Sequence, residues 1–283
     1  MVDWNCCEMH SHSTVSDGLF APRKMAQMMA EAGVELWSLT DHDHVGGTGQ
    51  AAQWAAKEGV AFVPGIEISA SWNKQSIHVL GYGYDPEDER LRTYGEEMVE
   101  ARRERMEKMV RRVGELGAPV EMAAVDAIAG EGNMGRPHLA DAMVEAGHVE
   151  DKQQAFDRFL DRKGPAYVAV ARPSVEECIE MIADAGGLAV IAHPGLYDGI
   201  EDQWKGWADA GLRGVEVRHP KHDAAIEARL LGVADAYGLV RTASQDWHGR
   251  GKAPQERLGG VDFPRAWREP FWEALEKTAH PPR

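Results

Sequence analysis

The chain contains no apolar run approaching the ~20 residues that a helix needs to cross a bilayer. Its first residues lack the basic, apolar and small-residue order of a secretory signal. Cysteine is scarce: the three are Cys6, Cys7 and Cys178, the first two adjacent. They make no disulfide framework, so a reducing, cytoplasmic setting is expected. No P-loop, Gly-x-Ser-x-Gly elbow or Gly-x-Gly-x-x-Gly turn follows an apolar run, which leaves nucleoside triphosphate, serine-nucleophile and dinucleotide chemistry without support. Positive charge is also short, with 31 Lys and Arg against 46 Asp and Glu for a formal net charge of −15. Binding to long duplex DNA needs a basic face, so that class is excluded. A short anionic substrate is not, because cations held by some of those acids would reverse the local potential.

Against these absences stands a set of histidines and acids. His10 and His12 flank one residue, and Asp17 follows five positions later, in Met9-His10-Ser11-His12-Ser13-Thr14-Val15-Ser16-Asp17-Gly18. On a strand, residues i and i+2 point the same way, so both imidazoles face one side. Paired imidazoles near a carboxylate suit a divalent transition metal. Further on come Thr40-Asp41-His42-Asp43, Gly65-Ile66-Glu67, Ile77-His78-Val79, Ala192-His193-Pro194 and Gln245-Asp246-Trp247-His248.

Each of these closes or lies within a β-like stretch: Glu35–Leu39 before Asp41, Val60–Val63 before Glu67, Gly187–Ile191 before His193, Leu239–Ala243 before Asp246. Helical periodicity occupies the intervals Pro22–Ala32, Gly49–Glu58, Val175–Ala185 and Ala224–Tyr237, several ending at a glycine suited to a C-cap. Strand, ligand, helix, repeated along the chain, predicts an α/β protein of β/α-barrel type whose strand C-termini converge on one active face. At 283 residues and 43% hydrophobic content the chain suffices for one such core.

One stretch breaks the rhythm. Between about Pro86 and Gly164 no strand is expected. Leu91, Tyr94, Met98, Met106, Met109, Val113 and Leu116 recur at helical spacing, and Gly117 can end that helix. Shorter helices are expected near Met122–Ala129, Pro137–Ala146 and Asp151–Leu160. The organisation expected is a barrel from residues 1–85 and 165–283, with 86–164 as a small helical insertion covering the active face. The arginines of the long helix read as its solvated side.

Taken together and in order, His10-x-His12 with Asp17-Gly18, Thr40-Asp41-His42-Asp43, Gly65-Ile66-Glu67-Ile68-Ser69, Ala192-His193-Pro194 and Asp246-x-His248 resemble the PHP (polymerase and histidinol phosphatase) superfamily over nearly the whole chain. The insertion, with Gly135-Arg136-Pro137-His138, resembles its stand-alone bacterial phosphoesterases, which act on 3′,5′-nucleoside bisphosphates and on 5′ ends of short RNA. The resemblance implies a distorted, seven-stranded TIM-like (β/α)7 barrel and two to three divalent ions. Manganese is the first expectation, with Fe2+, Zn2+ or Mg2+ as alternatives.

It also implies a ligand set. His10, His12, Glu67 and Asp246 would surround one ion; Glu67 would bridge to a second held with His78 and His193; Asp17, His42 and His248 would hold a third. The attacking water would be metal-bound, held by Glu67, His193 and Asp246. Asp41 would orient a ligand imidazole. Arg136, His138 and Lys163 would reach a second phosphate. Glu8, His44 and Gln245 depart from the family pattern without removing a ligand. His219 and His222, after the strand-like Gly214–Val217, are open to a substrate role, as is Glu216 to packing.

The expected function is a metal-dependent phosphohydrolase of nucleoside bisphosphates or short RNA. Its rivals are a phosphatase of a small molecule such as histidinol phosphate and a non-catalytic metal-binding module. Neither a membrane nor a protein partner is implied.

Overall fold

The structure, a computed structural model, describes residues 4–130, 134–249 and 258–282. The first elements are β1 (Cys7–Glu8), α1 (Pro22–Glu31), β2 (Leu36–Trp37), α2 (Thr48–Glu58) and β3 (Ala61–Phe62). A hairpin follows, β4 (Gly65–Trp72) and β5 (Gln75–Tyr82). Then come α3 (Glu89–Glu115), α4 (Met122–Ala129), α5 (Arg136–Glu145) and α6 (Lys152–Ala155), which runs into a π-helical turn at Phe156–Leu160. Strand and helix alternate again through α7 (Val175–Asp184), β6 (Leu188–Ile191), α8 (Trp204–Asp209), β7 (Gly214–Arg218), α9 (Ala224–Tyr237) and β8 (Val240–Ala243). The last helix is α10 (Arg265–Leu275).

Local chemistry accounts for the helix limits. Ser174 and Glu177 form a reciprocal capping box that starts α7, with Glu177 N–H on Ser174 Oγ at 3.2 Å and Ser174 N–H on Glu177 Oε2 at 2.7 Å. Asp223 caps α9 by accepting the Ile226 N–H at 2.9 Å, and Gly238 ends it in the left-handed region at φ +64°.

The fold is mixed α/β. β1, β2 and β3 form a parallel three-stranded sheet, and β4 to β8 a five-stranded sheet in sequence order. In the second sheet β5 is antiparallel to both β4 and β6, while β6, β7 and β8 are parallel. Among the described residues the two sheets meet at single parallel bridges rather than ladders, His42 with Glu67 and Ser11 with Trp247. The antiparallel β5 departs from the strand-helix alternation read from the sequence. Asn73 and Lys74, at φ +45° and +64°, turn the chain in two residues, leaving no room for a crossover helix.

The chain divides into two compact units, Met1–Gly95 with Arg172–Arg283, and Glu96–Ala171. The division falls later than residues 86 and 164 at both ends. Tyr94, on the first turns of α3, donates its hydroxyl to Asp43 Oδ1 at 2.8 Å within the first unit. At the other end Val168 O accepts Arg105 Nε at 2.7 Å within the second.

In the first unit one apolar cluster gathers Met9, Leu36, Leu80, Tyr82, Val190 and Phe271, and another Met25, Met29, Trp37, Leu39, Ala55 and Phe62. The second unit has its own core, including Met106, Met109, Val113, Leu139, Met143 and Leu160. No described helix is long and apolar enough to cross a membrane.

Candidate metal centre

The alternation of a strand delivers His10 and His12 to the same side. Between them Ser11 points away, its hydroxyl donating to Ser38 O at 3.0 Å and accepting Trp37 Nε1 at 2.9 Å. On the histidine side, His10 Nε2 lies 3.3 Å from Glu67 Oε2 and 3.4 Å from Asp246 Oδ1. His12 Nε2 lies 3.2 Å from each of the same two oxygens. Glu67 comes from β4 and Asp246 from just beyond β8, so these four ligand atoms are collected from the segment after β1 and from the two edge strands of the second sheet.

Such spacings fit a cation. A tetrahedron of ligand atoms with arms of ~2.0–2.1 Å has edges of about 3.3–3.4 Å. His10 Nε2, His12 Nε2, Glu67 Oε2 and Asp246 Oδ1 are buried and make no hydrogen bond, which is costly for polar atoms unless something else satisfies them. The same carboxylates favour the protonated form of the imidazoles they face. Burial by itself lowers the His12 pKa, but the carboxylates of Asp246 and Glu67, each 3.2 Å away, outweigh it and raise the ring to about 10. Burial opposes charge on His10 too, yet Glu67, Asp246 and Glu216 hold it well above the ordinary histidine value. Burial would raise Glu67, but His42, His10 and His78 hold it well below the usual carboxylate range.

Two further groups adjoin this one. His12, Asp17, His42 and His248 present ligand atoms within 4.8 Å of one another, as do His42, Glu67 and His78. Glu67 divides its oxygens: Oε2 faces His10, His12 and His42, while Oε1 lies 2.8 Å from His78 Nδ1 and 3.1 Å from His193 Nε2. His42 thus stands between two groups, with Nδ1 2.8 Å from Glu67 and Nε2 3.9 Å from Asp17. Asp17 lies 3.3 Å from His248 Nε2. His193 and Asp246 have φ of +29° and +54°, a conformation uncommon for non-glycine residues and frequent where strain serves a site.

Behind the ligand atoms sit their supports. Glu216 on β7 accepts His10 Nδ1–H at 3.1 Å and the His193 backbone N–H at 2.7 Å. A carboxylate there leaves the His10 Nε2 lone pair for an ion. Asp41 works through Ser16 rather than touching an imidazole: Ser16 Oγ donates to Asp41 Oδ1 at 2.6 Å and lies 3.4 Å from His12 Nδ1. Asp41 also accepts the Ser13 N–H and hydroxyl, each at 2.7 Å. Tyr197 was not singled out by sequence reasoning. Its hydroxyl accepts the His78 N–H at 2.9 Å and lies 3.0 Å from His193 Nδ1. A tyrosine four residues after a histidine was the only available signal. Glu8 is buried and accepts the Ser244 hydroxyl together with the N–H groups of His10, Gln245 and Gly259. Burial raises its pKa.

The residues expected at a second phosphate lie in the second unit. Arg136 begins α5, donates Nη1–H to Leu160 O at 3.1 Å and holds its guanidinium over the rings of Phe156 and Tyr167. His138 Nδ1 accepts the Gly135 N–H at 3.1 Å, a bond that closes the first turn. Lys163 is exposed beyond the π-helical turn.

No family model matches the chain. It is 34% identical to a 3′,5′-nucleoside bisphosphate phosphatase from Chromobacterium violaceum, over 95% of this chain and 96% of that one. It is 28% identical to the 5′-3′ exoribonuclease Rnm of Salmonella typhimurium, over 95% and 94%. A solved structure of a metal-dependent phosphoesterase from Bifidobacterium adolescentis superposes with a TM-score of 0.82 and 30% identity, over 93% of this chain and 94% of that one. Similarity at this level over nearly the full length of both chains settles the family: the chain belongs to the PHP metal-dependent phosphoesterases and is a phosphoric ester hydrolase.

Proposed function

We propose that the protein removes a phosphate from 3′,5′-nucleoside bisphosphates and, by the same chemistry, trims nucleotides from the 5′ end of short RNA. The observation that carries this is the cage of His10, His12, Glu67 and Asp246, whose two Nε2 atoms each stand 3.2–3.4 Å from Glu67 Oε2 and Asp246 Oδ1 without hydrogen bonds. The substrate class rests on the bisphosphate phosphatase and exoribonuclease relatives.

The ligands proposed are His10, His12, Asp17, His42, Glu67, His78, His193, Asp246 and His248, for two to three ions, manganese first. When bound, such ions supply Lewis acidity toward phosphoryl oxygens and lower the pKa of coordinated water. The chain's own part is orientation. Glu67 turns one oxygen toward His10 and His12 and the other toward His78 and His193, the arrangement of a bridging carboxylate. Glu216 and Ser16 hold the Nδ1 sides of His10 and His12, so that both Nε2 atoms face inward. Water attack would be directed from the side of Glu67, His193 and Asp246.

The strands support a distorted seven-stranded barrel, with β3 and β4 as one interrupted strand and the two single bridges as its seams. Free cysteines at positions 6, 7 and 178 suit the cytoplasm.

Arg136, with His138 and Lys163, is proposed to recognise the second phosphate. The experiment is phosphate release with manganese from a 3′,5′-bisphosphate, a 3′-monophosphate, histidinol phosphate and short 5′-phosphorylated oligoribonucleotides. The bisphosphate should be the best small substrate. Arg136→Ala should lower kcat/KM for it about 10- to 150-fold more than for the monophosphate, the loss expected of one charge-assisted contact. Equal losses would assign Arg136 to support of the π-helical turn. Preference for histidinol phosphate would replace the nucleotide reading.

A further inference from the structure

Two histidines follow β7, and their hydrogen bonds fix them in opposite tautomers. His222 donates Nδ1–H to Val217 O at 2.8 Å and accepts the Gly195 N–H on Nε2 at 3.1 Å. Both its nitrogens are used. Val217 sits at a bulge, where the pairing of β7 with β8 shifts between Glu216 and Arg218. His222 therefore ties that bulge to the turn after His193.

His219 is the reverse. Its Nδ1 accepts the Lys221 N–H at 3.1 Å, so the ring is neutral and its proton is on Nε2. That N–H is sealed from water, the side chain being 1% exposed, and makes no hydrogen bond. It stands 3.6 Å from Asp246 Oδ2, just beyond hydrogen-bond reach. The other oxygen of Asp246, Oδ1, faces His10 and His12 Nε2 at 3.4 and 3.2 Å and His248 Nδ1 at 3.5 Å. The two oxygens of one carboxylate thus look at different tasks. Asp246 also holds a left-handed backbone conformation, φ +54°, so no regular strand geometry fixes where its carboxylate points.

We infer that His219 is a positioning residue of the metal centre: its Nε2–H donates to Asp246 Oδ2 and leaves Oδ1 to the cation. The same tautomer bars it from ligation, since one nitrogen is engaged by Lys221 and the other carries hydrogen. The assignment rests on the metal reading of the cage and not on the identity of the substrate. Hydrogen-bonded supports of this kind commonly govern metal affinity by about 10- to 100-fold.

The test uses the full chain stripped by chelation and titrated with Mn2+ by calorimetry. His219→Ala should weaken the tightest Mn2+ step about 10- to 100-fold, with the full number of ions still bound at saturation. His219→Gln, whose amide N–H falls near the position of Nε2, should recover most of that affinity. Melting of the metal-free proteins shows whether each variant folds. Wild-type affinity in His219→Ala overturns the inference, as does equal loss in both variants, which a merely space-filling ring would give. Loss of one whole equivalent of metal overturns it too, because the ring would then be a ligand. Nitrogen-15 spectra of the metal-free protein provide an independent arm: a proton on His219 Nδ1 would contradict the tautomer whether or not the cage binds manganese. Failure of the wild type to bind Mn2+ would instead overturn the metal reading on which the inference stands.

Discussion

Both compact units have an apolar core, but they differ in the polar groups they bury beside it. In the second, Met106, Met109, Val113, Leu139, Met143 and Leu160 exclude water by apolar contact, and among its described residues only Arg105 and His138 are buried charged or imidazole side chains. The first unit buries Glu8, His10, His12, Asp41, Asp43, Glu67 and Glu216. An apolar interior is stable by itself, because every methylene removed from water contributes. A buried set of carboxylates and imidazoles is not, and persists only where each charge is matched. The second unit therefore rests on apolar packing, while the first holds, beside its apolar clusters, a polar pocket whose carboxylates need matching positive charge.

The sharpest way to break this contrast is Glu67→Gln. It removes the carboxylate that faces both His10 with His12 and His78 with His193. Activity should fall about a thousandfold or more, corresponding to roughly 4 kcal/mol of lost electrostatic stabilisation. Steady-state phosphate release at saturating manganese checks it, and a variant within tenfold of wild type would show that Glu67 joins no two sites.

The complementary change is Leu139→Ala, in the fully buried core of the second unit. It should cost about 2–5 kcal/mol of stability, read as a lower urea midpoint, with the metal content of the folded protein unchanged. Loss of metal instead would erase the contrast between the units.

The smallest effect concerns protons. In the metal-free protein, His12 has its pKa raised from 6.5 to about 10. A group raised on folding contributes stability that is complete below its unfolded pKa and is lost as pH rises through the folded one. The metal-free protein should therefore lose stability between about pH 6.5 and 10, and the loaded protein should be much flatter over that window. Because a ligating imidazole must be neutral, loading near pH 7.5 should release about one proton or more per chain. Calorimetry in buffers of different ionisation enthalpy measures this, and no release would mean that His12 is already neutral.

Much of the fold was legible along the chain, and the reasons are local. α4 at Met122–Ala129 and α9 at Ala224–Tyr237 match the periodicity residue for residue. Their apolar spacing and, for α9, Asp223 and Gly238 are short-range signals. The antiparallel β5 was not legible. Its turn relies on Asn73 and Lys74 in left-handed conformations, and lysine does not advertise that state as Asn-Gly would. The limits of the second unit, Glu96–Ala171, were not legible either, since Tyr94 lies on an unbroken helix while its hydroxyl bonds Asp43 in the first unit.

For the site, sequence by itself supplied the candidates, histidines and acids that close or lie within β-like stretches, and showed that His10 and His12 share a face, because the side-chain period of a strand is a property of the backbone. It could not determine which nitrogen of each ring looks inward. That depends on which groups the fold sets beside each ring: Glu216 behind His10, Ser16 with the distant Asp41 behind His12, and Tyr197 beside both His193 and the distant His78. Nor could it separate His219 from His222, three residues apart and alike in composition. One faces a carboxylate with an unused N–H and the other closes a turn, and only the course of the bulged strand after Glu216 sends the two rings in different directions. Residue type sets what a side chain can bond, whereas its actual partner is whatever the folded backbone brings within about 3 Å.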